Sequence, residues 1–214
     1  MSTFPGSPRT VPGAVVAVEP LGALSRVAVF QYNPDQVRRT LRRRTPEGRT
    51  GSSDRDRIWG APTQRISLRI ELDAADEMEV GNPASSPSGV AAGLAVLEML
   101  LYPAVASVVA NVALLAAGTI EVVPPRARLA VLAWGPGLVV PVTVQELDVT
   151  EETFDPTTLL PTRATAELTL DVLTYDDLAP TDPGFAVFLA HQVAKEALAT
   201  LGGAHGVAAL AGGA

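Results

Sequence analysis

Between Gln64 and Ala74 the chain reads QRISLRIELDA, with an apolar residue at every second position. Ile66, Leu68, Ile70 and Leu72 point one way, while Arg65, Ser67, Arg69 and Glu71 point the other. A period of two belongs to a β-strand, whose successive side chains leave opposite faces, and not to a helix. One face must therefore meet a core and the other must meet water. The same device returns in TRATAELTLDVL, where Ala164, Ala166, Leu168, Leu170 and Val172 share a face. GAVVAVE (Gly13–Glu19), SRVAVFQY (Ser25–Tyr32), ARLAVLA and LVVPVTVQELDV read as four more strands. EPLGALS follows the first as a turn, and Asn33-Pro34 closes the second. Gly135–Gly137 (GPG) is a turn between strands, and Pro141 predicts an edge strand or a bulge.

Helices are fewer. VAAGLAVLEML (Val90–Leu100) reads as one, with Ser88 as its N-cap. PGFAVFLAHQVAKEALATL (Pro183–Leu201) reads as a second, with Asp182 as cap and Pro183 at the first helical position. The expected fold is mainly β with flanking helices: an antiparallel barrel or sandwich carrying one apolar helix and a C-terminal helix.

With 214 residues and 47% apolar composition, the chain can fill one good-sized core. Aromatic residues are scarce, so that core rests on Val, Leu, Ile and Ala. The expected organisation is a Pro/Gly/Ser-rich arm over 1–13 and a β domain over 14–178. That domain contains an exposed loop over 45–63 and a helical insertion over 88–120. A terminal helix follows over 182–201, then a loose Gly/Ala tail over 202–214. The N-terminus shows no basic region followed by an apolar run, so no secretion signal is expected.

Charge is unevenly distributed around a net of −7. Up to Val80 twelve Arg face ten acids, whereas from Gly81 onward four basic residues face thirteen acids. The positive charge concentrates in VFQYNPDQVRRTLRRR and just beyond, at Arg38, Arg39, Arg42, Arg43, Arg44 and Arg49. Six arginines so close together could neutralise phosphates. Yet no aromatic residues interleave to stack bases, and the rest of the chain is acidic. A solvated or partner-facing strand and loop is the favoured reading, without nucleic acid.

The uncharged stretch Met99–Ile120 has about the length of a spanning helix. Pro103, Asn111 and the acidic flanks Glu98 and Glu121 argue against insertion, because interfacial anchors are basic or aromatic. A helix buried in the fold or against a neighbouring subunit is expected instead.

Catalytic constellations are not evident. Without cysteine the chain has no disulfide, thiolate metal site or Cys nucleophile. His191 reads as a surface or helix-packing residue, and His205 lies in the Gly/Ala tail. No nucleophile elbow, dinucleotide fingerprint or P-loop occurs. Asp54/Asp56 and Asp73/Asp76 lack calcium-loop spacing, and Asp176-Asp177 reads as an ordinary exposed pair. The expectation is a non-enzyme with no cofactor and no metal.

Five segments, taken in order, bear a further resemblance. VFQYNPDQVRRTL resembles the opening strand and turn of the tube-adaptor, or baseplate hub, proteins of contractile injection systems, which are phage-tail-like particles. ISLRIELDAAD (Ile66–Asp76) is similar to that family's strand ending in an Asp-rich turn. Leu94–Leu101 with Tyr102-Pro103 resembles its L…L.YP segment, and PPRARLAVLAWG (Pro124–Gly135) its PP…WG strand. Phe154, Pro161, Arg163 and Ala164 match its last hairpin. The resemblance spans roughly Ala14 to Tyr175 and departs in two places. Many members carry a C-terminal LysM module, which this chain replaces with a helix and a Gly/Ala tail. The apolar stretch between Tyr102 and Pro124 is also longer here.

The resemblance implies a tail-tube-like β-barrel assembled as a homo-oligomeric ring, a hexamer, in an injection particle in the cytoplasm. Such a ring links the inner tube to the spike or baseplate, with sheath or baseplate proteins as further neighbours. The alternatives are a stacking tail-tube protomer of the same machine and, behind it, a membrane-associated protein using 99–120. In a ring of identical copies one face of each subunit meets a different face of the next. The arginines Arg38, Arg39, Arg42, Arg43, Arg44 and Arg49, with Trp59, are then expected to meet the acidic surface of a neighbour, including Glu151, Glu152, Asp155, Asp176 and Asp177. Such charges steer and register a contact more than they hold it.

Overall fold

The computed structural model describes residues 13–18, 24–30, 33–44, 58–74, 90–118 and 129–211. Seven strands form one antiparallel sheet: β1 (Ala14–Val18), β2 (Leu24–Val29), β3 (Val37–Arg42), β4 (Thr63–Asp73), β5 (Leu129–Trp134), β6 (Leu138–Phe154) and β7 (Pro161–Val172). The spatial order is β2-β1-β5-β6-β7-β4-β3. Among the described residues three helices accompany it: α1 (Ala91–Glu98), α2 (Val105–Ala116) and α3 (Pro183–Ala211). The chain is thus mainly antiparallel β with flanking helices, as the alternation predicts.

β4 and β7 pair over ten residues, from Gln64 opposite Val172 to Asp73 opposite Arg163. Ile66, Leu68, Ile70 and Leu72 lie buried against Leu170, Leu168, Ala166 and Ala164. Removing each such Leu or Ile side chain from water contributes about 1.5–3 kcal/mol. A slip of one residue would turn this whole set to solvent, so the burial itself fixes the register. On the opposite face the polar partners form ion pairs, Arg65 with Asp171, Arg69 with Glu167 and Arg163 with Glu71.

The two edge strands, β2 and β3, are consecutive in sequence and joined only by residues 30–36. That link is itself tethered. The Phe30 N–H donates to the Gly13 carbonyl at 2.8 Å, and the Gly13 N–H donates to Asn33 Oδ1 at 2.9 Å. Four residue steps separate Asn33 from Val37, a reach of about 14 Å. In a flat sheet the five spacings from β1 to β3 would amount to about 24 Å. The sheet must therefore curl until its edges approach one another. It does so around one core that includes Val15, Phe30, Ile66, Leu97, Leu132, Val140 and Leu168. No ladder joins β2 to β3 among the described residues, so the barrel is curled but open.

Several local expectations are corrected. Pro141 is neither at an edge nor in a bulge. It lies within β6 opposite Val131, and its carbonyl accepts from the Leu173 N–H at 2.9 Å. Backbone N–H and C=O of one strand residue point to the same side. The missing Pro donor therefore faces Leu173, one residue past the end of β7, so the bond it forgoes lies at the margin of the ladder and not within it. The irregularity falls instead between Val144 and Glu146, where Gln145 is the extra residue. β2 runs Leu24–Val29 rather than to Tyr32, and Thr63, expected in a loop, opens β4.

The insertion at 88–120 contains two helices, not one. Pro103 drives its predecessor out of the helical region, and Ala104 is extended (ψ 133°) before α2 restarts. Val90 occupies the N-cap of α1 without a side-chain cap bond, while Ser88 lies outside the described residues. The terminal helix starts at Pro183 as expected but passes Leu201 and continues to Ala211, so 202–211 is not a loose tail. Gly202 and Gly203 each cost about 1 kcal/mol relative to Ala, and the alanine-rich sequence after them restores helical propensity.

Candidate functional site

The arginine-rich segment is the edge strand β3 and the two residues after it. Its register sets Val37, Arg39 and Leu41 opposite Leu68, Ile66 and Gln64, so these three emerge on the face of the core. Arg38, Thr40 and Arg42 emerge on the other face, opposite Ser67, Arg65 and Thr63. All three β3 arginines are exposed. Charged side chains on an edge strand discourage unspecific pairing of its free N–H and C=O groups.

Arg44 is engaged within the chain. Its Nη2 lies 3.1 Å from Asp177 Oδ1 and 3.2 Å from Oδ2. Asp177 Oδ2 also accepts from the Thr174 N–H at 3.0 Å and the Thr174 hydroxyl at 2.7 Å. Partial burial acts to raise the Asp177 pKa. The Thr174 donors and the Arg44 guanidinium outweigh it and hold the carboxyl below its ordinary value. The neighbouring Asp176 accepts from the Ala61 N–H through Oδ2 at 3.0 Å. Gly60, at φ +82°, fits beneath that carboxylate, because a Cβ there would fall 2.2 Å from the same oxygen. Asp176 and Asp177 thus clamp Ala61 and Arg44, the two ends of the segment expected to be a long loop. Trp59 stands half-buried beside the clamp; Arg43 is exposed; Arg49 lies outside the described residues.

Above the clamp a cleft of about 520 Å3 opens across β3, β4, β6 and β7. Arg42, Arg44, Arg65, Asp171 and Asp177 supply its charged groups. Arg65 is held by a two-pronged contact to Asp171, Nε to Oδ1 at 2.8 Å and Nη2 to Oδ2 at 3.2 Å. That hydrogen bond, with the Asp171 charge, raises the Arg65 pKa. Gln64 is buried (6% exposed), and its Nε2 has no acceptor among the described residues.

A second basic group gathers where α3 passes β3. His191 is 6% exposed, and its Nε2 has no partner among the described residues. Burial first, then the positive charges of Lys195 and Arg39, hold its pKa below the ordinary value. Lys195 is lowered likewise by burial and by Arg39. The reading of His191 as a helix-packing residue fits this burial.

The acidic counterpart is the β6–β7 hairpin. Its ladder extends to Phe154 opposite Pro161, beyond the last pairing of β4. Among the described residues β5 covers β6 as far as Val142. Glu146, Asp148, Glu151 and Glu152 are exposed along it. At the tip, Asp155 Oδ1 accepts from the Thr157 and Thr158 N–H groups, each at 2.8 Å. These bonds, that from Thr158 first, keep its carboxyl below its ordinary value. Thr153 and Leu159 both take positive φ (52° and 57°), an uncommon conformation for such residues. The turn so fixed presents Phe154 and Leu159 to solvent.

One helix remains uncovered. None of the α2 residues is buried, and Val105, Val108, Val109 and Val112 form an exposed stripe at helical spacing. Its 12 residues extend about 18 Å, well short of a bilayer core. No helix among the described residues is long and apolar enough to cross a membrane.

The predicted interface residues thus fall into two separate groups, the β3 edge and the hairpin. Sequence reasoning missed Gln64, Asp171 and the Asp176–Asp177 clamp. No family model matches the chain, and no curated protein matches it.

Proposed function

We propose that this chain is a structural ring component of a contractile injection system, linking the inner tube to the spike or baseplate. The observation that carries the reading is incompleteness. Among the described residues, the seven-stranded sheet leaves the outer edges of β2 and β3 without a ladder partner, and α2 presents an uncovered apolar stripe. Patches of this kind are characteristic of surfaces that other chains complete. The ordered motif resemblance supplies the kind of machine. Copies of the chain form the ring, with tube and spike proteins stacked on its two sides. Negative-stain microscopy of the purified protein, alone and with the tube and spike proteins of the same system, tests the proposal. Rings with a central hole that bind both partners are expected. A chain that stays monomeric at high concentration and binds neither overturns it.

A further inference from the structure

We propose that the cleft between Arg42 and Asp177 is a carboxylate receptor, and that its occupant is the Glu151–Glu152 end of the β6–β7 hairpin of a second copy. The proposal rests on the self-association put forward above and specifies its contact.

The cleft is short of negative charge. Arg42, Arg44 and Arg65 line it against Asp171 and Asp177, so three guanidiniums face two carboxylates and one positive charge is unmatched. Arg44 and Arg65 are the two that are paired. The Arg42 guanidinium, exposed on the same face as Arg65, has no partner among the described residues. A guanidinium fork matches the two oxygens of one carboxylate.

The hairpin has the opposite surplus. No ion pair among the described residues reaches Asp148, Glu151 or Glu152, and all three are exposed. The Asp155 turn holds this end of the hairpin in one shape, which lowers the ordering cost of docking. Within one copy the hairpin end and the cleft lie at opposite ends of the β7 ladder. Glu152 pairs with Arg163 near its start, whereas Asp171 and Val172 border the cleft at its finish. That ladder is about 30 Å long, too far for a glutamate to fold back. The acid must come from another molecule, in a head-to-tail contact that leaves the pair with one free cleft and one free hairpin.

Sedimentation velocity on the full chain tests this through charge reversal. Arg42→Glu alone, and Glu151→Arg with Glu152→Arg alone, should each weaken self-association at least tenfold while melting like the parent. An equimolar mixture of the two should regain association, because each reversed surface then meets a complementary one. Arg42→Lys should associate nearly as the parent does. Parent-like association of both reversed variants overturns the proposal while leaving the ring reading standing. A mixture no better associated than its components also overturns it. A parent chain that does not self-associate overturns both.

Discussion

Gly60 allows the clamp to be tested by one methyl group. Replacing it with alanine introduces two separate costs. The first is conformational: at φ +82° an L-residue loses about 1–2 kcal/mol relative to glycine. The second is steric. The new Cβ would lie 2.2 Å from Asp176 Oδ2 and 2.9 Å from its carboxyl carbon, so the carboxylate must move. Moving it breaks the 3.0 Å bond from the Ala61 N–H, and a bond to a charged acceptor is worth about 1.5–3 kcal/mol. Gly60→Ala should therefore destabilise the fold by about 2.5–5 kcal/mol, read from urea unfolding with an unchanged m-value. Asp176→Ala removes the second cost in advance. In the Asp176→Ala background the glycine substitution should cost only its conformational 1–2 kcal/mol or so. A loss below about 0.5 kcal/mol for Gly60→Ala, or equal losses in both backgrounds, would refute the clamp.

Further perturbations probe other layers. Asp177→Ala leaves the fully buried Thr174 hydroxyl and the Arg44 guanidinium without their carboxylate, and should cost about 1–3 kcal/mol in the same assay. Leu168→Ala, at the centre of the β4–β7–β6 sheet, opens a cavity and should cost about 2–5 kcal/mol, whereas Val109→Ala on the uncovered α2 should change the isolated chain by less than about 0.5 kcal/mol. His191 has a folded pKa below its unfolded value of about 6.5. Its contribution is therefore full above about pH 6.5 and declines as pH falls from there towards the folded value. Unfolding free energies at pH 7.5, 6.0 and 5.0 should drop accordingly. His191→Gln, which cannot titrate, should show a smaller drop; equal drops would remove His191 from the account.

What could be read from the sequence was whatever is buried on one side. Ile66 to Leu72 and Ala164 to Val172 advertise their strands because one face meets the core and the other meets water. β3 gave no such period. Its six residues are almost all exposed, so hydrogen bonding to β4, rather than burial, makes it a strand. The helical continuation past Leu201 was hidden by Gly202-Gly203, a pair that ordinarily ends a helix. The candidate site was legible only in halves. Arginine and acid clusters stand out in composition, but Arg44 and Asp177 are 133 positions apart. Only the β3–β4–β7 ladders bring Arg42, Gln64, Asp171 and Asp177 around one cleft. No local spacing encodes that meeting.

The asymmetry of the free edges limits what the chain can pair with. Two β3 edges brought together would set Arg38, Arg39 and Arg42 against their own copies, and like charges at close range are destabilising. Two β6 arms would oppose Glu146, Asp148, Glu151 and Glu152 in the same way. A symmetric contact through either surface is disfavoured by its own charge. Basic edge against acidic arm is the combination that cancels both; in the ring proposed above that contact is heterologous, and such contacts propagate from copy to copy until they close. The charges choose this pairing rather than supply its strength, which falls to apolar groups. Phe154 and Leu159 at the fixed hairpin tip, and Leu41 beside Arg42 on β3, stand exposed where such groups are needed. In the proposed ring, repulsion between like faces is what the arginines on the edge strand of this net-negative chain contribute.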